Sequence, residues 1–440
     1  MVFKRVLSAL NRPVDAASLA VFRLTFGALM MIAAARFFTH DWIEKDYRVP
    51  KYFFHYWGFS WVRPWPGVGM DIHYGVMALA ALGVALGVAY RASCIVFALT
   101  FTYAHLCDKS NYLNHYYLVS LVAMVLALVP LDREGSVRVL LRPGDRAGRI
   151  RAWVLYLFRF QIGVVYAFGG LAKIGSDWLL HGEPLRIWLG ANAELPLLGR
   201  SLGFATAFSW CGMLFDLSIV PLLLWRRTRG PAYGAVIVFH VLTSILFRIG
   251  MFPWIMMASA TLFFDPSWPR RWLRRPAATE AVAGVHVGGI GAACMGAYAA
   301  VQLLLPLRSA LYPGNTLWSE EGFRFAWKVM LIEKSGELEL TVVDREGRRT
   351  FVEPRDYLTP FQARMASTQP DMILEFSHLV ADDFRRRGRG PVRVYADAQV
   401  SFNGRARAPL IDPTVDLARE TEGWRPKLWI LPAPTTRPEF

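Results

Sequence analysis

Long unbroken apolar runs dominate the chain up to about residue 306, and alternating apolar and polar positions take over beyond it. Residues 16–35 form the first run, 20 positions interrupted only by Arg23, which is the length a helix needs to cross about 30 Å of hydrocarbon. Further runs predict spans over residues 74–90, 92–107, 116–129, 153–171, 202–224, 232–246, 251–264 and 281–305. The fold class this predicts is an α-helical multi-pass membrane bundle of nine spans, of which 251–264, with 14 residues, is short enough to be re-entrant. A β-rich soluble C-terminal domain follows. KVMLIEKSGELELTVVDREGRRTFVEP alternates with a period of two around turn residues at Ser335-Gly336 and at Asp344 to Gly347. Residues 371–386 read as an amphipathic helix, and VRVYADAQVSFNG returns to strand periodicity. The expected division is a membrane domain over 1–306 and a soluble domain over 307–440.

The loops orient the bundle. Residues 132–151 carry six arginines against three acids, and arginines cluster again at 226–229 and 270–275, whereas the long loops at 36–71 and 173–200 are charge-balanced. Basic loops stay cytoplasmic, so alternate counting places the N-terminus in the cytoplasm and the C-terminal domain outside the cell membrane. Lys4, Arg5 and Arg12 precede a first run long enough to span, which reads as a retained anchor and not a cleaved signal. The tryptophans of YWGFSWVRPWPG in the first long loop predict a segment lying in the bilayer interface.

Composition narrows the class. Hydrophobic residues make up 54% and charged residues 19%, below the roughly 25% usual in soluble chains, so the first partner is the lipid bilayer. The net charge of +15 comes from loop arginines and does not point to nucleic acid. The four cysteines lie in or at the ends of apolar runs, without a CxxC pair or a histidine at metal spacing, so neither a disulfide framework nor a metal site is predicted. GxSxG, HExxH, phosphate-loop and dinucleotide fingerprints do not occur, which leaves hydrolase, zinc protease and nucleotide-driven functions without a signal.

Polar groups at membrane depth are costly, and are therefore paired or functional. Arg23 and Arg159 are expected to pair with acids or backbone carbonyls inside the bundle, with Asp216 a candidate partner for either. His105, His115 and His240 each lie against an apolar helix face, where a neutral imidazole with one hydrogen bond suffices. Lys173, in YAFGGLAKIGSDWLLHGEPLRIW, follows the run 153–171 and has two readings. It is either an ammonium snorkelling to the membrane surface or an amine kept neutral by an apolar pocket and able to act as a base.

Taken together, DKSNYLNHYYL, YAFGGLAKIGSDWL, FDLSIVPLLL with FHVLTSILFRIGMFPWIMMASATLFF, and the stretch from LYPGNTLW through SFNGRARAPLIDPTVDL resemble segments of the vitamin K-dependent gamma-glutamyl carboxylase family, in the same order. That family is related to the HTTM membrane-domain group. The resemblance runs from AVFRLTFG to IDPTVD, and the chain looks like a short relative of the animal enzymes. It implies an enzyme of the carbon-carbon lyase class that consumes reduced vitamin K, a phylloquinone or menaquinone hydroquinone, with O2 and CO2 as co-substrates and without metal or nucleotide. In that chemistry a base takes a hydroquinone proton and oxygen adds. The resulting alkoxide strips the gamma proton from a glutamate, which captures CO2 as the quinone leaves as its epoxide.

Carried onto this sequence, the resemblance puts the initiating base at Lys173 and the family's Asn-His pair at Asn114 and His115, orienting the quinone oxygen or the alkoxide. His240 and Arg248 wall the same quinone pocket, with Asp216. The implied partners are a naphthoquinone, entering sideways from the bilayer, and a glutamate-containing protein substrate. One departure bears on the second partner: LWSEEGFRFAW stands where the animal enzymes carry a tyrosine- and glycine-rich stretch implicated in glutamate binding. Two alternatives stay open, an epoxidase whose coupled acceptor is not a peptide glutamate, and a non-catalytic quinone- or lipid-binding membrane protein.

Overall fold

The structure is a computed structural model and describes residues 2–191, 201–247 and 249–438. The helices that matter for the site are α1 (Val2–Asn11), α2 (Ala17–Thr39), α3 (Gly69–Leu86), α4 (Tyr90–Leu106), α5 (Asn114–Leu128), α6 (Ala152–Leu171), α7 (Leu202–Leu224), α8 (Arg229–Leu246), α9 (Phe252–Ala260) and α10 (Gly289–Leu307). Among the described residues, six helices (α2, α3, α6, α7, α8 and α10) are long and apolar enough to cross a membrane. The runs predicted at 92–107, 116–129 and 251–264 are helical as well, but α4, α5 and α9 contain 17, 15 and 9 residues. At 1.5 Å per residue a helix the length of α5 reaches about 22 Å, short of the hydrocarbon thickness.

The last apolar run begins its helix later than its composition predicts, at Gly289 and not near 281. Val282–Ala283 (β3) is instead extended, because it pairs in parallel with Arg149–Arg151 (β2), which pairs antiparallel with Pro13–Asp15 (β1). This small sheet gathers the starts of α2, α6 and α10 at one end of the bundle.

The two arginines at membrane depth, Arg23 and Arg159, both bond backbone carbonyls, although the buried Nε of Arg23 has no partner among the described residues. Arg23, fully buried in α2, donates from Nη1 to the carbonyls of Val84 (2.8 Å) and Ala85 and from Nη2 to that of Gly135 (2.6 Å). It thus meets the last carbonyls of α3, where the chain leaves the helix through Gly87 at φ 68°, and a cation is favoured at a helix C-terminus. Arg159 donates to the carbonyls of Leu262 (2.8 Å) and Phe264 (3.0 Å). Asp216 partners neither.

The C-terminal region is a four-stranded antiparallel sheet in the order β5-β4-β6-β7, built from β4 (Lys334–Val343), β5 (Arg349–Val352), β6 (Arg393–Phe402) and β7 (Ala408–Pro409). The amphipathic helix α11 (Pro370–Arg386) buries Met372, Ile373, Phe376 and Val380 in one core with Leu340 and Val342 of β4 and Val394 and Ala396 of β6. Asp344 to Gly347 form the turn between β4 and β5, as the alternation predicts. Ser335-Gly336 is not a turn, however. It lies inside β4, paired with Ser401 and Val400, and a Cβ on Gly336 would meet Val400 Cγ2 at 2.9 Å and Ser367 O at 3.0 Å.

The two cores interlock. Phe54, from the long first loop, is buried in the C-terminal core, and Trp327, from the C-terminal region, is buried in the membrane-side core. The segment expected to lie in the interface, 56–67, is divided, with Tyr56 and Val62 buried while Trp57, Trp61 and Trp65 stay exposed.

Close helix contact in the bundle depends on glycine. A Cβ on Gly27 of α2 would collide with the backbone nitrogen of Ala85 and come within 2.8 Å of Ala81 O on α3, a small-residue contact of the kind that lets membrane helices approach. Gly27→Ala is expected to destabilise the protein by about 1–3 kcal/mol and lower its thermal midpoint in detergent. Gly75→Ala, where a Cβ meets nothing, is expected to leave the midpoint unchanged or raise it.

Candidate functional site

Lys173 lies just past the end of α6 and turns back into the bundle, away from its surface. Its Nζ donates to Gly169 O (3.1 Å) and to Asp216 Oδ2 (2.8 Å), and lies 5.5 Å from the centre of the Trp178 ring. Both members of the ion pair are buried. The surroundings are thus not the purely apolar pocket expected for an isolated amine, because α7 brings a carboxylate to it.

That approach is possible because α6 ends in two glycines. A Cβ on Gly170 would stand 2.7 Å from Leu217 Cδ2 and one on Gly169 would stand 3.4 Å from Asp216 Oδ2. The turn after Lys173 is fixed on two sides. Trp178 Nε1 donates to Ser209 O of α7 (2.7 Å), which fixes the indole beside the amine. Asp177 accepts two hydrogen bonds from Arg405 (2.6 and 2.9 Å) and one from Asn403 Nδ2 (3.0 Å), a bidentate clamp to the turn that follows β6.

Lys173, Asp216, Trp178 and Tyr166 line a cavity of about 300 Å³ between α6, α7 and α8, near the lower end of the roughly 300–1,000 Å³ typical of small-molecule sites. Phe215, Phe239, Phe247 and Phe252 make its wall predominantly apolar, and Val329 and Met330 of the C-terminal region contribute to it. His240 of α8 lines the same cavity. Its Nε2 is 2.9 Å from the Tyr166 hydroxyl, while its buried Nδ1 has no hydrogen-bond partner among the described residues.

Of the residues expected at the site, Lys173, Asp216 and His240 come together here. Asn114 and His115 do not line the cavity. Asn114 accepts from the Tyr112 hydroxyl (3.0 Å) and donates to Lys328 O (3.3 Å). The His115 ring centre is 6.0 Å from that of Phe252, which is itself 5.9 Å from that of His240, so this phenylalanine adjoins both histidines. Arg248 lies outside the described residues. Among the described residues, no three His, Cys, Asp or Glu side chains gather as a group that could hold a metal ion.

Sequence reasoning did not single out Tyr166, the Asp177–Arg405 clamp or Glu183. Asp177 and Arg405 both fall in family-like motifs, but nothing in the spacing says that they meet. Glu183 lies between the short helices Ser176–Leu180 and Leu185–Ala191, fully buried, with neither carboxylate oxygen hydrogen-bonded among the described residues and Arg186 Nε 3.7 Å away. Burial pushes its carboxyl up to about 7. The folded state thus favours the protonated acid. The ionised form costs stability in full above pH 7, and the cost disappears below its ordinary value near 4.5. Glu183→Gln is expected to stabilise the protein at pH 8 by roughly 1–3 kcal/mol, with the difference shrinking as the pH falls to 5, read as thermal midpoints. An unchanged midpoint at pH 8 would mean that the carboxylate is not unpartnered.

The family model for the HTTM domain matches residues 11–268, and that for the vitamin K-dependent gamma-carboxylase lumenal domain matches residues 289–436. No solved structure matches the chain. The HTTM match takes in every helix from α2 to α9, including the Lys173–Asp216 pair, and the lumenal-domain match starts with α10 and takes in the sheet and the Arg405 clamp. With both halves matched, and in this order, the chain belongs to the vitamin K-dependent gamma-carboxylase family.

Proposed function

We propose that this protein is a membrane enzyme that oxidises a reduced naphthoquinone of the vitamin K or menaquinone type to its epoxide with O2, and couples that oxidation to the addition of CO2 to glutamate side chains. The observation that carries the reading is the apolar cavity, whose lining includes a buried amine–carboxylate pair and a histidine with one unpartnered imidazole nitrogen among the described residues. A flat apolar ring with an oxygen at each end fits such a donor set. When bound, the hydroquinone supplies the reducing equivalents for the reaction with oxygen.

The residues of the chain would then act as follows. Lys173 and Asp216 carry no net charge as a pair, and moving the proton from Nζ to the carboxylate yields a neutral amine without placing new charge in the bundle. That amine is the general base for one ring hydroxyl. His240 Nδ1, with the Tyr166 hydroxyl bonded to its other nitrogen, holds the second ring oxygen. Phenylalanines around the cavity exclude water. His115 lies beyond Phe252 and would join the site when that ring turns aside.

In the same reading the bundle has nine segments that cross or enter the bilayer, with the domain division near 306 and 307. The N-terminus and the small β1-β2-β3 sheet face the cytoplasm, and the C-terminal domain lies outside.

One observation favours the variant in which the acceptor is not a peptide glutamate. In LWSEEGFRFAW each charged side chain is already committed to the fold. Glu320 pairs with Lys334 (2.8 Å), Glu321 accepts from the Lys427 backbone (2.9 Å) and Arg324 pairs with Asp371 (2.6 Å).

For purified protein in detergent, Lys173→Met is expected to lower epoxide formation from reduced vitamin K by at least about 100-fold. Retention of the wild-type rate would remove Lys173 from the chemistry. Labelled bicarbonate appearing in a glutamate peptide supports the coupled reaction, and epoxide without label supports the variant acceptor.

A further inference from the structure

We propose that the cleft beside α1, at the β1-β2-β3 end of the bundle, binds the headgroup of an anionic phospholipid. α1 is amphipathic. On a helical projection Val2, Phe3, Val6, Leu7 and Leu10 share one face, and Lys4, Arg5 and Ser8 share the other.

The protein covers only part of the apolar face. Leu7 and Leu10 pack against the membrane-side core, and the C-terminal end of α1 is pinned by Asn11, whose side chain donates to Val287 O (2.9 Å) and accepts from Val287 N (2.8 Å). Towards the N-terminus the same face is bare: Val2, Phe3 and Val6 are 76%, 58% and 46% exposed. The helix lies where α2, α6 and α10 begin, so the natural cover for these side chains is acyl chain, with α1 lying along the interface.

The polar side of the helix borders a cleft of about 780 Å³ lined by Arg5, Ser8, Arg12 and His286. Neither Arg5 nor Arg12 has an acidic partner among the described residues, whereas Arg138, Arg146 and Arg270 are all paired with carboxylates. Two free guanidiniums and a hydroxyl facing a headgroup-sized space, next to a helix face that requires lipid, match a phosphodiester carried on acyl chains. Free phosphate would satisfy the arginines but would leave Val2, Phe3 and Val6 uncovered.

The test is native mass spectrometry of the full chain, using dioleoylphosphatidylglycerol against dioleoylphosphatidylcholine. The wild type is expected to keep one phosphatidylglycerol under activation that strips phosphatidylcholine. Arg5→Gln with Arg12→Gln should weaken that retention by about tenfold, while Arg274→Gln with Arg275→Gln should keep it. Both pairs are exposed, and unchanged circular dichroism and elution would confirm that the variants fold. Wild-type retention in the Arg5/Arg12 variant, or an equal loss in the Arg274/Arg275 variant, would overturn the site. Displacement of the lipid by excess inorganic phosphate would overturn the choice of a lipid as its occupant.

Discussion

An ammonium and a carboxylate 2.8 Å apart in the interior of an apolar bundle set the terms for much of the structure around them. Either charge alone would cost several kcal/mol to bury, and the pair is tolerable only if its geometry is held. Holding it requires α6 and α7 to approach closely, which the glycines at 169 and 170 permit. It also requires the turn after Lys173 to be rigid. Trp178, bonded to Ser209 O, supplies one support beside the amine, and Asp177, bonded to Arg405, supplies the other. The site is therefore assembled by both regions of the chain, although the pair itself lies entirely within the helical one.

The C-terminal region behaves as a structural partner of the bundle. Lys109, just past α4, contacts both Asp371 (3.1 Å) and Glu375 (2.8 Å) of α11, and His55 reaches Glu375 (2.9 Å). Burial alone would raise the Asp371 carboxyl, but Arg324 and Lys109 outweigh it and hold the group well below the usual carboxylate range. This contribution is present above the ordinary aspartate value and is lost as pH falls towards the folded one, so the junction between the regions is sensitive to strong acid. Phe54 and Trp327, each buried in the other region's core, add an apolar lock to the ionic one.

The parts of the fold legible in the sequence were those written in periodicity. Apolar runs located the helices, and alternation located β4, β6 and the turn at Asp344 to Gly347. Where a run could be either helix or strand, as at 281–288, composition could not show that β2 would capture Val282–Ala283. Ser335-Gly336 misled for a related reason, since a glycine demanded by close packing against Val400 looks the same in sequence as a glycine demanded by a turn. Within the site, Lys173, Asp216 and His240 stood out as polar groups at membrane depth, and the family resemblance implied that they share one pocket. The carboxylate partner of the lysine was hidden because ion pairs 43 residues apart leave no local pattern. Tyr166 was hidden because an aromatic residue in an apolar helix is ordinary until its hydroxyl meets a histidine.

The most direct measurement is the structure of the protein with a reduced naphthoquinone bound. If the cavity between α6, α7 and α8 is the reaction chamber, one ring oxygen will lie within hydrogen-bond reach, about 3 Å, of Lys173 Nζ, and the other will face His240 Nδ1. A ring bound elsewhere, with the Lys173–Asp216 pair intact and untouched by ligand, would contradict the assignment of the pair as the proton acceptor.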